Sequence, residues 1–196
     1  MSYVLVVYSS KSGHVKQMAR EIAAGIEMEK VEAKLRTVPN VSSNCESTEP
    51  NIPDSGAPYV QLEEVINCAG IILGSPTHFG NMSAELKYFI DQTSGLWMSG
   101  ALINKPAGVF TASGSMHGGQ ESTLLSMMLP LLHHGALISG IPYSEKSLSQ
   151  TSFGGTPYGA SYVVGHQGER SMDIHEKTLC QALGKRIAYL SKCLTK

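Results

Sequence analysis

A chain of 196 residues, 42% hydrophobic and 16% charged, is long enough to bury a core of its own and predicts one soluble domain over residues 1–196. Its formal net charge of −1 argues against an electrostatic surface for nucleic acid or membrane, and against a small carrier that docks by acidic charge. Apolar runs stop short of membrane-spanning length, and the N-terminus enters a strand rather than a signal peptide. The four cysteines (Cys45, Cys68, Cys180, Cys193) lack metal spacing and read as reduced thiols of a cytoplasmic protein.

Strand-like and helix-like segments alternate, the pattern of βαβ units around a parallel sheet. Tyr3 to Tyr8 reads as a buried strand, and His14 to Met28 as a helix with Val15, Met18, Ala19, Ile22 and Ile26 on one face. Between them lies Ser9-Ser10-Lys11-Ser12-Gly13-His14. A strand that breaks into hydroxyl residues and a glycine at a helix start can hold a phosphate. The helix start offers unpaired N–H groups and a positive dipole end, and the serines add donors. The spacing is neither GxxxxGK[ST] nor GxGxxG, so a single phosphomonoester suits it better than a triphosphate. Serine is also a common N-cap, and on the loop alone a phosphate site and an ordinary strand-to-helix turn fit alike.

Val31 to Val38 alternates and reads as a strand with one exposed face. Pro39 to Pro58, with four prolines and little periodicity, predicts a mobile surface loop. A short helix over Gln61 to Asn67 leads to a third strand, Gly70 to Gly74. After Ser75 to Met82 a helix buries Leu86, Phe89 and Ile90. The fourth strand is Ala107 to Ala112, followed by a Gly-rich loop to Gly119 and a helix ending near His134. Ala136 to Ser139 reads as the fifth strand. Gly140 to Gly168 reads as irregular, and a last helix runs from Asp173 to Leu194.

In an open parallel sheet, ligands bind beyond the carboxyl ends of the strands, where the strand order reverses. Three loops leave such ends, after the first, third and fourth strands. The second, Ser75 to Met82, pairs a rigid proline with Thr, His, Phe, Gly and Asn, and can press backbone amides and an aromatic edge against a flat ring. The third, Thr111 to Gly119, is rich in glycine and small residues that permit close backbone approach. Singly each is weak, since Gly and Pro punctuate any loop. Together they favour a phosphorylated planar cofactor.

Several strings then match in order across nearly the whole chain: Ser10-Lys11-Ser12-Gly13-His14-Val15, Gly74 to Met82 with its PTxFGNM pattern, and Gly114 through Glu121. Asp91-Gln92-Thr93, Leu96-Trp97, His133-His134-Gly135 and the GGTPYGA run Gly154 to Ala160 complete them. The chain resembles the flavodoxin-like NAD(P)H:quinone oxidoreductases of the WrbA type. The resemblance implies an α/β fold with an open parallel five-stranded sheet of order 2-1-3-4-5 and helices on both faces. It implies bound FMN, homodimers and homotetramers, and two-electron transfer from NAD(P)H to quinones by a ping-pong hydride mechanism. No metal is expected.

By the same resemblance Ser10, Ser12, Gly13, His14 and Val15 cradle the FMN phosphate. Charge-assisted hydrogen bonds contribute roughly 1.5–3 kcal/mol each, so four approach the roughly 8 kcal/mol of a micromolar complex without an arginine. Thr77, His78 and Phe79, with Pro76, Gly80 and Asn81 in the same loop, line the isoalloxazine. Ala112, Ser113, Gly114, Ser115 and Gly118 take the ribityl chain and pyrimidine edge, where N–H groups stabilise negative charge. His78 stands where an Arg is common in the family, and its contact can be through backbone alone.

Trp97, the lone tryptophan, reads blandly as a core or interface residue; its motif makes it a wall of the active site. His133 and His134 end a helix, where the dipole favours a cation. The match makes His133 a flavin and substrate neighbour across a subunit interface. A metal site from the pair is disfavoured, since adjacent helical residues diverge. Lys11 and His117 read as solvated, and Tyr143 and Tyr158 as packing residues. Ser12 departs from the family, where an aromatic is frequent. The departure leaves its phosphate role intact and puts the dinucleotide contact in question. The rival readings are a one-electron-carrying flavodoxin and an FMN-binding regulatory or scaffold protein.

Overall fold

The computed structural model describes residues 2–41, 53 and 56–194. The chain runs β1 (Tyr3–Tyr8), α1 (His14–Met28), β2 (Glu32–Thr37), α2 (Leu62–Asn67), β3 (Gly70–Pro76), α3 (Ala84–Gln92) and α4 (Ser94–Met98). It continues β4 (Pro106–Ser113), α5 (Gln120–His133), β5 (Leu137–Ile138), α6 (Ser147–Gln150), β6 (Ala160–Val163) and α7 (Ile174–Leu194). The strands form one parallel sheet in the order β2-β1-β3-β4-β5, with β6 also on β4. The anticipated order holds.

Successive residues of a strand point to opposite faces, and β1 shows the consequence. Val4, Val6 and Tyr8 enter one core with Ile72 and Phe110, under α1 and α7. Tyr3, Leu5 and Val7 enter the other with Ile71, Leu73 and Val109, under α2, α3 and α5. A sheet covered on both faces explains why β1 is a continuous apolar run. The α1 stripe buries Val15, Met18, Ala19, Ile22 and Ile26 as its periodicity requires, each large side chain stabilising by roughly 1.5–3 kcal/mol. α1 and α7 approach backbone to backbone: a Cβ on Gly184 would overlap the Ile22 carbonyl, and one on Gly25 the Gln181 carbonyl.

Three expectations need correction. β5 is two residues rather than four. The segment expected to be irregular, Gly140 to Gly168, holds α6 and the sixth strand. β5 pairs with Pro106 and Ala107 at the start of β4, and β6 pairs with Phe110 to Ser113 at its end. One edge position is thus filled by two segments with the chain leaving between them. All four β6 residues are buried, so no alternation marks them, and the surrounding glycines mask the strand. α4 was also missed, being a single short turn after α3. Most of the loop expected over Pro39 to Pro58 lies outside the described residues. No helix among the described residues is long and apolar enough to cross a membrane.

Candidate active site

The loops after β1, β3 and β4 meet in a cleft of about 170 Å³. Ser10, Ser12, His14, Val15, Pro76, Thr77, His78, Ala112, Ser113 and Gly114 line it, as do Lys11 and Val164. No carboxylate stands among them, and the cleft presents hydroxyls, imidazoles, an ammonium stem and backbone. The loops are tied to one another: Thr77 N donates to Ala112 O at 2.9 Å and Val164 N to Ser113 O at 2.8 Å. Thr111 Oγ1 spends its proton on Ser75 O at 2.8 Å. In its 3.1 Å contact with Thr77 Oγ1, Thr77 is therefore the donor.

In the first loop Gly13 is the residue before α1, with φ +88°, a left-handed geometry that glycine adopts without strain. An added Cβ there would meet nothing within 4 Å, so the backbone is open to a ligand. Lys16 N donates to Ser10 Oγ at 3.3 Å. His14 and Val15 open the helix, and their N–H groups lack helical acceptors by geometry. Ser12 Oγ and His14 Nδ1 are hydrogen bonded at 2.8 Å. The His14 ring meets the Tyr162 ring edge-on at 5.8 Å between centroids, with Gly168 against its Cε1. Lys11, read as solvated, is exposed but ion-paired to the buried Glu85 at 3.2 Å. Burial would raise the Glu85 pKa; backbone and Lys11 interactions outweigh it and hold the carboxyl below its ordinary value.

The second loop is a tight turn. His78 and Asn81 exchange both backbone hydrogen bonds, at 2.9 and 3.0 Å, while Phe79 and Gly80 have φ of +54° and +72°. That is the signature of a type I′ turn, costly for a bulky residue at its first central position. Phe79 is fully exposed at the tip. Asn81 Oδ1 accepts Met82 N at 2.8 Å. The third loop folds around one carbonyl. Ser115 O accepts from Ser113 Oγ (2.8 Å), Gln120 Nε2 (3.3 Å) and Gly118 N (3.1 Å). Gly119, at φ +90°, starts α5 so close to Gly80 that a Cβ would stand 2.8 Å from the Gly80 Cα.

Gly13 lines an adjoining cleft of about 110 Å³ with Tyr8, Lys16 and Thr37. Phe79, Gly80, Asn81, Ser115 and Gly118 build the neighbouring turns without lining the main cleft. Trp97 and His133 also lie outside it, bonded to each other: Trp97 Nε1 donates to His133 O at 2.8 Å. His117, Tyr143 and Tyr158 are exposed. Sequence reasoning missed Val164, whose place at the cleft depends on β6. It also missed Tyr162 and Gly168, which back His14 from a segment without periodicity.

Residues 2–144 match the family described as NADPH-dependent FMN reductase. An NAD(P)H dehydrogenase (quinone) of Geobacter sulfurreducens is 39% identical over 196 residues, 96% of this chain and 97% of that one. A WrbA-like flavodoxin from Agrobacterium tumefaciens superimposes with a TM-score of 0.69 at 24% identity, covering 100% of both chains. A flavodoxin from the domain Archaea does so with 0.65 at 21%, over 97% of this chain and 99% of that one. The WrbA-type resemblance of the motifs is borne out, and the chain belongs to the NADPH-dependent FMN reductase family.

Proposed function

We propose that this protein is an FMN-dependent NAD(P)H dehydrogenase (quinone), a reading carried by the cleft at the carboxyl ends of β1, β3 and β4. Its residues fit a phosphorylated planar cofactor. Ser10 and Ser12 offer hydroxyls, and Gly13, His14 and Val15 offer N–H groups, to a phosphate at the positive end of the α1 dipole. The open backbone at Gly13 gives such a group room. Pro76, Thr77 and His78 would hold the ring, on the turn that Phe79, Gly80 and Asn81 build, and Ala112, Ser113 and Gly114 would hold the ribityl chain and pyrimidine edge, on the turn that Ser115 and Gly118 build. Bound there, FMN supplies two-electron hydride chemistry between NAD(P)H and a quinone, which occupy one place in turn. The loops' N–H donors stabilise the developing negative charge without reorganising.

His133 and Trp97 complete the site from a neighbouring copy in a homodimer or homotetramer. Exposed apolar side chains on α3, α4 and α5 support this: Tyr88, Trp97, Met98, Leu125, Leu129 and Leu132. Contiguous exposed apolar surface marks interaction sites. A cytoplasmic location, read from the unpaired Cys68, Cys180 and Cys193, belongs to the same proposal. Anaerobic stopped-flow of the FMN-loaded protein with NADH, NADPH and then benzoquinone tests the reading. Rapid two-electron bleaching of the flavin by a nicotinamide, followed by reoxidation by quinone, is the expected result. Reduction in single-electron steps without quinone turnover would favour the flavodoxin alternative. Failure to oxidise either nicotinamide would favour a scaffold.

A further inference from the structure

α5 ends in a Schellman motif. Gly135, at φ +76°, donates to Leu132 O at 2.9 Å, and Ala136 N donates to Leu131 O at 3.0 Å. His134 N takes Pro130 O at 3.0 Å. Of the last four carbonyls only that of His133 then lacks a backbone donor in this motif, and the Trp97 indole supplies one. One residue further on, Thr93 Oγ1 and His134 Nε2 stand 2.9 Å apart, both buried. Thr93 and Trp97 are four residues apart, across the first turn of α4, so the two bonds clamp α4 side by side onto the end of α5.

The protons can be assigned. Thr93 Oγ1 donates to Ile90 O at 2.6 Å, so its contact with His134 must be as acceptor and Nε2 carries the hydrogen. His134 Nδ1 is then bare in the neutral ring, buried and without a hydrogen-bond partner among the described residues. The ring borders a cavity of about 20 Å³ whose walls are apolar, Val65 from α2, Ile71 and Leu73 from β3, Phe89 and Ile90 from α3. Of the charged groups of these elements, Lys87 pairs with Asp91, Glu64 with Arg36 and Glu85 with Lys11, while Glu63 is exposed; Lys105, just before β4, donates to Ile66 O. His133 is the titratable neighbour that acts on the ring.

We infer that Thr93 and His134 are positioning residues whose hydrogen bond holds α4 and thereby sets the place of the Trp97 indole. A second proton would put an unpaired N–H and a charge against apolar walls, so acid releases the clamp. The consequence for catalysis rests on the reading of Trp97 as an active-site wall; the clamp itself does not.

Trp97 is the one tryptophan of the chain, and its emission and acrylamide quenching report the indole directly in the FMN-loaded, full-length protein. In Thr93→Val, similar in size but without the acceptor, the fraction of released indole at neutral pH rises about fivefold, the factor of one lost hydrogen bond, and the difference from wild type narrows at acid pH. Thr93→Ser keeps the wild-type signal. His134→Gln, whose amide can still donate to Thr93, matches the wild type at neutral pH and loses its acid transition, whereas His133→Gln retains it. Coincident emission and quenching for wild type and Thr93→Val overturns the inference, as does loss of the acid transition in His133→Gln. If Thr93→Val does not fold, a wild type without the acid transition is decisive against it. Altered emission with an unchanged quinone KM upholds the clamp and removes Trp97 from the substrate pocket.

Discussion

Glu176 offers the sharpest test of how the interrupted sheet edge is held behind the cleft. Its carboxylate, on α7, is fully buried and accepts from five groups. Gly154 N and Val163 N donate to Oε1 at 3.0 and 3.1 Å. Arg170 spans both oxygens, Nη1 to Oε1 at 3.0 Å and Nη2 to Oε2 at 2.7 Å, and Asp173 N reaches Oε2 at 3.0 Å. Val163 closes β6, and Arg170 stacks over the Phe153 ring at 3.9 Å. The same segment carries Tyr162, which meets His14. Glu176→Gln keeps one acceptor and turns an amide NH2 toward existing donors, leaving the mostly buried Arg170 with the part-exposed Asp173 carboxylate, 3.1 Å away, as its remaining counter-charge. Removing one partner of such a pair costs about 3–5 kcal/mol. Urea unfolding should show that loss, and flavin-fluorescence titration should show weaker FMN binding as His14 loses its backing. The double variant Glu176→Leu/Arg170→Leu should recover part of the stability, because the buried carboxylate and its guanidinium leave together and the Asp173 that remains is part-exposed to solvent. A loss below about 1 kcal/mol, within the common range of point mutants, or a double variant no more stable than Glu176→Gln, would refute the reasoning.

Ser10→Ala removes a hydroxyl from the proposed phosphate cradle and should weaken FMN binding about tenfold or more, the worth of one charge-assisted hydrogen bond; an unchanged Kd counts against the cradle. Gly119→Ala places a side chain at φ +90° and against the Gly80 Cα, and should cost about 1–3 kcal/mol in urea unfolding. Wild-type stability there would mean that the two loops can part freely. Burial, then His133, pushes the His134 pKa below its ordinary value. The unfolded chain therefore takes up that proton first, and stability falls as pH drops through the ordinary histidine range toward the folded value. His134→Gln should flatten this limb of unfolding free energy against pH; parallel curves for the two proteins would exclude His134 as its source.

Local chemistry made much of this molecule legible. The α1 stripe, Val15 to Ile26 at helical spacing, and the unbroken apolar β1 follow from burial against one face or two, and they need no knowledge of distant residues. The three loops also declare themselves. Ser10 to Gly13, Pro76 to Asn81 and Ser113 to Gly119 combine donors with backbone freedom where strands end, and parallel connectivity sends those ends to one edge. The sixth strand escaped for a physical reason: Ala160 to Val163 is buried throughout, and its place is defined by β4 alone. α4 is too short to show a period.

The sequence by itself determined the alternation of strands and helices, the sheet order through its motifs, and the chemical character of the loops. Each depends on periodicity or on groups close along the chain. Only the tertiary structure decided that Lys11 answers to Glu85, that Val164 reaches the cleft, and that Trp97 caps the His133 carbonyl while Thr93 grips His134. These pairings join residues 36 to 74 positions apart or more, and arise from the packing of α3, α4, α5 and β6 around the sheet. A buried hydrogen bond depends on where two segments meet, and no local pattern carries that distance.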